Sequence, residues 1–296
     1  MAEMVKIATI ATGGTWGRLT AWMGEALEAG GLKVELLKAG GEVPEIALRV
    51  DSGEADISVT TTFGARAAYH GKGPYSKKLR IQGIAEVQYP LHWFVPMIRS
   101  DTGLTSFAEL ARKRPPLRLC LPAPDLLVAY PVKSVFKLFG VDPYVDIPRW
   151  GGKVLTDFPA VPRLVSNREA DGVFRENSPL RYDVSQLCDM SFFQLTEEQA
   201  RKVSEELSIQ VETIKAGTYR NQQADLLALD AEGFTLFARG DLPGDQAYRI
   251  ARAIDRDTRS HYLGASIFYS SRFAVRTGAP LHEGAARYYR EQGYLR

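Results

Sequence analysis

Few cysteines, no excess of charge of one sign and no long apolar run set the first limits on this chain of 296 residues. Its two cysteines, Cys120 and Cys188, are too few to staple a small domain, and one disulfide or two free thiols both stay open. The net charge is +2 and no Lys/Arg run is mixed with aromatic residues, so we expect no nucleic-acid partner. The longest apolar runs have the length of strands, which is too short to span a membrane.

Signatures of catalysis are also missing. The sequence has no Gly-x-Ser-x-Gly elbow, and no P-loop lysine follows its N-terminal glycines. The histidines have no metal-ligand spacing with cysteines or carboxylates, and Cys120 lies in an apolar strand, where a thiol is usually inert. We therefore expect no enzymatic activity, no cofactor and no metal site. An enzyme that uses Gly13, Gly14 and Gly17 as a dinucleotide loop remains an alternative, although the first spacing of such a loop is absent.

The segment Ile7–Trp16 contains the most informative pattern. An apolar, β-branched strand runs into a glycine turn, and apolar residues at helical spacing follow at once. The start of a helix leaves backbone N–H groups unpaired and partly positive, so this turn suits a carboxylate or a phosphate. A second glycine turn follows the next strand. The candidate ligand-binding residues of the two turns are Gly13, Gly14, Thr15, Trp16, Arg18 and Gly41. A solvated Arg18 and a core position for Trp16 remain alternatives.

The order of predicted elements indicates the fold class. Strand, turn and helix succeed one another three times in the N-terminal part, which predicts a parallel sheet with crossover helices. A second α/β unit follows, and two long extended runs at 91–99 and 234–239 are placed to carry the chain between units. We therefore predict an α/β fold with lobe 1 at 1–95 and 236–296 and lobe 2 at 96–235. Two crossover strands would form a hinge and leave a ligand cleft between the lobes.

Polar residues follow two of the predicted strands, at the ends that face the ligand crevice in open α/β sheets. Thr61, Thr62 and Phe63 follow the third strand, where the hydroxyls either contact the ligand or cap the next helix. Arg175 and Asn177 follow a later strand, and a guanidinium can hold a carboxylate with two parallel hydrogen bonds. A solvated or ion-paired Arg175 remains the alternative.

Six segments carry a resemblance that covers nearly the whole chain. They are Ile7–Thr15, Ser52–Ile57, Tyr89–His92, Arg99–Leu110, Ala216–Tyr219 and Pro280–Tyr289. In their order and spacing they resemble the TAXI family of solute receptors for TRAP transporters. The resemblance implies a two-lobed, type II periplasmic-binding-protein-like fold. It also implies an extracytoplasmic receptor that captures a small carboxylate or amino-acid-like ligand and delivers it to a TRAP membrane permease.

Tyr219, the N-terminus and the loop at 122–125 each bear on this resemblance. Tyr219 either reaches the ligand or anchors its own turn. The first residues lead directly into a strand, so an extracytoplasmic receptor implies that a signal peptide has been removed. Where the family has a small-residue loop of the Gly-Ser-Gly-Thr-Glu kind, this chain has Pro122-Ala123-Pro124-Asp125, in which two prolines remove two N–H donors. We therefore expect lobe 2 to hold its ligand with other groups than the backbone N–H donors of the family's loop.

A cytoplasmic small-molecule sensor with the same fold remains an alternative function.

Overall fold

The computed structural model describes residues 4–9, 14–38, 43–179, 183–257, 267–272 and 274–295. Within them the strands are β1 (Met4–Thr9), β2 (Lys33–Lys38), β3 (Ile57–Thr61), β4 (Ile81–Gln88), β5 (Trp93–Arg99), β6 (Arg118–Cys120), β7 (Lys153–Leu155), β8 (Gly172–Asn177), β9 (Met190–Phe192), β10 (Gln210–Ile214), β11 (Leu226–Asp230), β12 (Phe234–Arg239) and β13 (Phe268–Tyr269). The α-helices of the same residues are α1 (Gly14–Ala29), α2 (Val43–Asp51), α3 (Thr62–His70), α4 (Phe107–Lys113), α5 (Ala129–Lys137), α6 (Asp146–Arg149), α7 (Val161–Ser166), α8 (Glu197–Leu207), α9 (Gly244–Arg256) and α10 (Glu283–Glu291).

The chain divides into two units, each with a sheet of its own, and the α/β fold class is confirmed. Unit 1 comprises Met1–Pro90 and Glu232–Arg296, and unit 2 comprises Leu91–Ala231. The two predicted crossover strands are β5 and β12, and each pairs with strands of one unit only. The chain therefore passes between units just before these strands. Leu91 and Glu232, the first residues after the two passages, have left-handed backbones with φ of 54° and 55°, which turns the chain sharply at both points.

The sheet of unit 1 has the strand order β13-β4-β12-β3-β1-β2. β1 pairs in parallel with β2 and β3, whereas β12 lies antiparallel between β3 and β4. β1, β3 and β4 therefore run in the same direction, and their carboxyl ends lie at one edge of the sheet. Helix α1 covers this sheet with the apolar residues that the sequence places at helical spacing, all of them buried: Leu19, Trp22, Met23, Ala26 and Leu27.

The sheet of unit 2 has the strand order β10-β11-β5-β8-β6-β7, and β9 also pairs with β5. β6 is parallel to both β7 and β8, while β5 and β8 are antiparallel. The carboxyl ends of β6, β7 and β8 therefore lie side by side. Phe107 on α4 packs against four aromatic rings at centroid distances of 5.0–5.6 Å, and these rings belong to Phe136, Phe139, Phe174 and Phe193.

Helix starts follow the local signals of the sequence. The Thr-x-x-Gln pattern at 196–199 forms a capping box at the start of α8, because the Thr196 hydroxyl accepts from the Gln199 backbone N–H while the Gln199 side chain accepts from the Thr196 N–H. The Ser-x-x-Glu pattern at 106–109 forms only half of a capping box: the Ser106 hydroxyl accepts from the Glu109 N–H, but the Glu109 carboxylate accepts from the Thr105 backbone and hydroxyl instead of the Ser106 N–H. Both cysteines are free thiols. Among the described helices, none has the length and apolar character that crossing a bilayer requires.

Candidate functional site

The candidate site lies at the carboxyl ends of the three parallel strands in unit 2, where buried polar side chains have atoms without hydrogen-bond partners among the described residues. β8 continues to Asn177, past Val173, which pairs with Cys120 at the end of β6. The last residues of β8 therefore extend beyond the end of their neighbour β6 and keep only β5 beside them. This edge is where ligands bind in open α/β sheets.

Arg175 occupies this position with its side chain almost fully buried, at 4% exposed. Its Nη2 donates to Glu176 Oε1 at 3.0 Å, and its guanidinium carbon lies 3.9 Å from the centroid of the Phe158 ring. Its Nε and Nη1, which carry three N–H donors, have no hydrogen-bond partner in the described part of the chain. A buried guanidinium with so many unused donors is uncommon, because each one has lost its water without gaining an acceptor.

Two aromatic residues, Phe158 and Tyr144, lie near this guanidinium. Phe158 comes from the loop after β7 and stacks on it. The Tyr144 hydroxyl donates to the Pro122 carbonyl oxygen at 2.7 Å. Burial raises the pKa of Tyr144, while the charge of Arg175 opposes this rise and that of Glu176 adds to it. The loop after β6, in which proline removes N–H donors, thus contributes carbonyl acceptors, and Lys133 donates to the carbonyl of Pro124.

Cys120 does not supply a counter-charge to Arg175. Burial raises the pKa of this thiol to about 11, although the charge of Arg175 acts in the opposite direction. The thiol is therefore neutral at physiological pH, as is the Tyr144 phenol. Glu176 is the carboxylate that contacts the guanidinium, and the contact leaves its second oxygen, Oε2, without a hydrogen-bond partner among the residues the structure describes.

Asn177 and Ser178 end the strand with further unused polar atoms. Asn177 is 3% exposed, its amide nitrogen lies 3.9 Å from the Met97 sulfur, and its Oδ1 has no hydrogen bond to any described residue. The buried Ser178 hydroxyl is likewise without a hydrogen bond within the described ranges. Four consecutive residues of β8 and its end, Arg175 to Ser178, therefore all offer polar atoms that no other described residue uses.

Tyr219 lies in the same hydrophobic core of unit 2 as Cys120 and Val173. Its backbone N–H donates to the Gln222 side chain, and its ring packs against Phe192 at 5.7 Å between centroids. Burial raises the pKa of its hydroxyl, which has no partner in the described residues. These contacts anchor the turn, so the turn-anchoring alternative describes Tyr219; its contact with ligand remains a prediction.

The N-terminal candidates lie in unit 1. Gly13 and Gly41 fall outside the described residues, and Gly14 is the first residue of α1. The exposed Arg18 donates to the Thr15 hydroxyl at 3.4 Å. Trp16 is half-buried and meets Phe234 edge to face, with 5.3 Å between ring centroids. Trp16 therefore packs on the core of unit 1.

The three candidates at the end of β3 and the start of α3 are hydrogen-bonded or packed inside unit 1. The Thr61 hydroxyl caps α3 by accepting from the Gly64 N–H at 3.1 Å, and Phe63 is buried at 1% exposed. The Thr62 hydroxyl lies 2.8 and 2.6 Å from the two carboxylate oxygens of Glu86. Thr235 donates a further hydrogen bond to Glu86 at 3.0 Å. Sequence reasoning missed this buried carboxyl, although a glutamate between the apolar residues of β4 is a visible signal.

This chain is similar to several solved structures, and the two structures of XAC2383, with TM-scores above 0.5, support the fold. XAC2383 from Xanthomonas citri bound to ATP is 12% identical, with a TM-score of 0.52 and complete coverage of both chains. The chloride-bound structure of that protein has the same TM-score and identity over 97% of this chain and 95% of the other. PhnD1 from Prochlorococcus marinus in complex with methylphosphonate is 11% identical over 99% of both chains, with a TM-score of 0.48.

The candidate site holds unused donors and acceptors but no grouping for metal binding. Within the described ranges no three His, Cys, Asp or Glu residues lie together in a way that could bind a metal ion. A family model covers nearly the whole of this sequence. The model of the NMT1-like family matches residues 7–293, so the chain belongs to the NMT1-like family.

Proposed function

We propose that this protein is the solute-binding component of a membrane transport system and that Arg175 binds the carboxylate of its ligand. The observation that carries the proposal is the buried guanidinium of Arg175, whose Nε and Nη1 donors are unused by the described residues. Family membership over residues 7–293 and the two-unit fold agree with this function. We further propose an extracytoplasmic location and, from the resemblance to the TAXI family, a TRAP-type permease as the membrane partner.

The energetics of Arg175 favour a ligand over a purely structural role. Burying an ion costs several kcal/mol unless its charge and its donors are matched, and Glu176 matches the charge through a single hydrogen bond. A carboxylate accepts several hydrogen bonds at once, and bonds between charged partners are the stronger kind. A bound carboxylate would therefore satisfy the donors of Arg175 and recover part of the cost of burying it.

The first experiment measures ligand binding and its dependence on Arg175. The purified protein is screened by thermal shift against small carboxylates, 2-oxo acids and amino acids, and the best ligand is titrated by calorimetry. We expect Arg175→Ala to weaken this ligand by about 1.5–3 kcal/mol, which is about ten- to a hundredfold in Kd, because charged hydrogen bonds are lost.

Arg201→Ala is the matched control. Arg201 lies in the same unit, is 60% exposed and pairs with Glu205 on the surface of α8. Its removal should leave the affinity unchanged. An Arg175→Ala variant that melts normally and binds the ligand as tightly as the parent protein removes Arg175 from the site.

A second experiment tests the membrane partner. The ligand-loaded protein is cross-linked to membranes of its source organism, and the attached proteins are identified by mass spectrometry with and without ligand. Enrichment of TRAP permease subunits in the loaded sample is the expected result. Enrichment of an ATP-hydrolysing transporter instead would retain the solute-binding function and overturn the TRAP assignment.

A further inference from the structure

We infer that Glu176 makes the Arg175 site selective for a zwitterion, a ligand whose carboxylate binds Arg175 and whose protonated amine binds Glu176. This inference rests on the proposed function, since it concerns the same ligand. It goes further because it assigns a role to Glu176 and separates amino acids from the simple carboxylates that Arg175 alone would accept.

The charge of the site is the first argument. Arg175 and Glu176 form an ion pair at 3.0 Å, with side chains that are 4% and 17% exposed. Cys120 and Tyr144 beside them are neutral, so the pair has no net charge before a ligand arrives. A carboxylate without a positive group would leave one uncompensated negative charge among mostly buried residues. A zwitterion adds no net charge and avoids that cost.

The polar atoms of this pair that lack partners include both donors and an acceptor, which also favours a zwitterion. Arg175 offers donors at Nε and Nη1, and Glu176 offers an acceptor at Oε2; none of these atoms is bonded to another described residue. A carboxylate accepts hydrogen bonds and so satisfies only Arg175. An ammonium group donates three hydrogen bonds and is the natural partner of the carboxylate oxygen of Glu176.

The position of the two side chains is the third argument. Side chains of neighbouring strand residues point to opposite faces of a sheet, and Arg175 shares its face with Val173 and Asn177. Arg175 and Glu176 nevertheless form a hydrogen bond of 3.0 Å, in the part of β8 that extends beyond Cys120 at the end of β6. The hydrogen-bonded pair therefore offers a charged donor and a charged acceptor side by side, and an amino acid carries its carboxylate and its ammonium group on one carbon.

The test compares ligands that differ only at the amine. The probes are three pairs of equal carbon skeleton: L-alanine and pyruvate, L-leucine and 4-methyl-2-oxopentanoate, and L-glutamate and 2-oxoglutarate. Each is titrated by calorimetry into the full chain at pH 7. We expect the amino acid of at least one pair to bind at least about tenfold more tightly than its 2-oxo partner, the difference that one charged hydrogen bond provides. Absence of binding by all three amino acids, or tighter binding of the 2-oxo acids, overturns the inference.

Glu176→Gln is the decisive variant, because it retains the shape and the Oε1 acceptor for Arg175 while it turns Oε2 into an amide donor. The preference for the amino acid should then shrink at least about tenfold, with weaker amino-acid binding and stronger 2-oxo-acid binding. Glu198→Gln on the surface of α8, where Glu198 pairs with Lys202, is the control and should keep the preference.

Two further variants separate the possible failures. Glu176→Asp retains the charge, so it should retain the preference for the amino acid even where the affinity falls; this covers the case in which Glu176→Gln does not fold. Arg175→Ala should weaken both members of each pair. The preference for the amino acid over its 2-oxo partner could stay unchanged in a folded Glu176→Gln protein while Arg175→Ala binds weakly. This result would overturn the inference of a zwitterionic ligand and would leave the proposed function standing. Unchanged binding by Arg175→Ala would overturn both.

Discussion

Glu86 in unit 1 and Arg175 in unit 2 both lie near the carboxyl end of a strand, on β4 and β8, and both are buried. Glu86 is 6% exposed and receives hydrogen bonds from the hydroxyls of Thr62 and Thr235. Arg175 is buried to a similar degree but donates one hydrogen bond, to Glu176. Each unit thus buries an ionisable side chain near the end of a strand, and unit 1 supplies hydrogen-bond partners for its group whereas unit 2 leaves most donors of Arg175 unused.

This difference in hydrogen-bond partners indicates that Glu86, and not Arg175, has a purely structural role. Thr62 and Thr235 are fixed by α3 and β12, and the Thr235 hydroxyl also accepts from the Gly278 N–H at 3.0 Å, so the surroundings of Glu86 are built for it. Gly233 belongs to the same arrangement, because a Cβ at this position would lie 2.8 Å from Glu86 Oε1 and 2.1 Å from the Val87 carbonyl. No comparable set of partners surrounds Arg175 among the described residues. Unused donors at a buried charge are the expected signature of a ligand site.

The largest expected effect concerns the pH dependence of stability that Glu86 causes. Burial raises the pKa of Glu86 well above the ordinary 4.5, with further contributions from Thr62, which lowers it, and from Glu232, which raises it. The folded protein then holds a proton that the unfolded chain releases above pH 4.5. Stability therefore falls as pH rises from that value toward the raised pKa, by at most about 1.4 kcal/mol per pH unit.

Glu86→Gln tests this dependence, because glutamine has the same shape and does not ionise. The free energy of unfolding is measured in urea at a series of pH values from 5 to about 8, all of which lie above the ordinary pKa of 4.5. The difference between the two proteins should change with pH, with the parent losing stability relative to Glu86→Gln as pH rises. A difference that stays constant over this range would show that Glu86 ionises normally in the folded protein.

The next effect concerns the hydroxyl groups that satisfy Glu86. Thr62→Val keeps the side-chain shape and removes the hydroxyl that contacts both carboxyl oxygens at 2.8 and 2.6 Å. The expected loss in the free energy of unfolding is about 1–3 kcal/mol, because a buried carboxyl oxygen is left unpaired. Urea unfolding provides the measurement.

Thr213→Val is the control for this substitution. Thr213 is exposed on the edge strand β10, and its replacement should change the free energy of unfolding by no more than about 0.5 kcal/mol. Equal stabilities of the Thr62 and Thr213 variants would mean that Glu86 is not held in the way described here, and the contrast with Arg175 would disappear.

The smallest effect concerns the ring that stacks on Arg175. Phe158→Leu removes the contact at 3.9 Å between the guanidinium and the ring, which positions the guanidinium. We expect the ligand to bind more weakly by about 1 kcal/mol, or about fivefold in Kd. Phe139→Leu, which removes a ring stacked on Phe107 at 5.2 Å, is the control and should keep the affinity. Equal ligand affinities of the two variants would show that the Phe158 ring does not position the guanidinium of Arg175.

Local signals predicted a good part of the fold. Features that depend only on neighbouring residues are visible in the sequence. They include the start of α1 at Gly14, the helix Thr62–His70 and the capping box at Thr196. β4 was not predictable in this way, because its glycine argues against a strand. Gly83 is required there by a distant residue: a Cβ would lie 2.3 Å from the hydroxyl oxygen of Thr277. The three-residue strands β7 and β9 are too short to show a period.

The candidate site was predictable only in part. Arg175 and Asn177 follow from the rule that the carboxyl ends of parallel strands face the ligand, and the structure places both at such an end in unit 2. The role of Glu176 does not follow, because strand alternation assigns it to the opposite face from Arg175. Its contact with Arg175 lies in the part of β8 that extends beyond the end of β6, and the different lengths of these two strands leave no pattern in the sequence.

A crystal structure of the ligand-loaded protein tests the central claim most directly. The account predicts a ligand carboxylate within about 3.2 Å of Nε or Nη1 of Arg175, the range of an N–H···O hydrogen bond. A well-ordered ligand that is bound entirely by other residues, with those donors of Arg175 still without an acceptor, would contradict it.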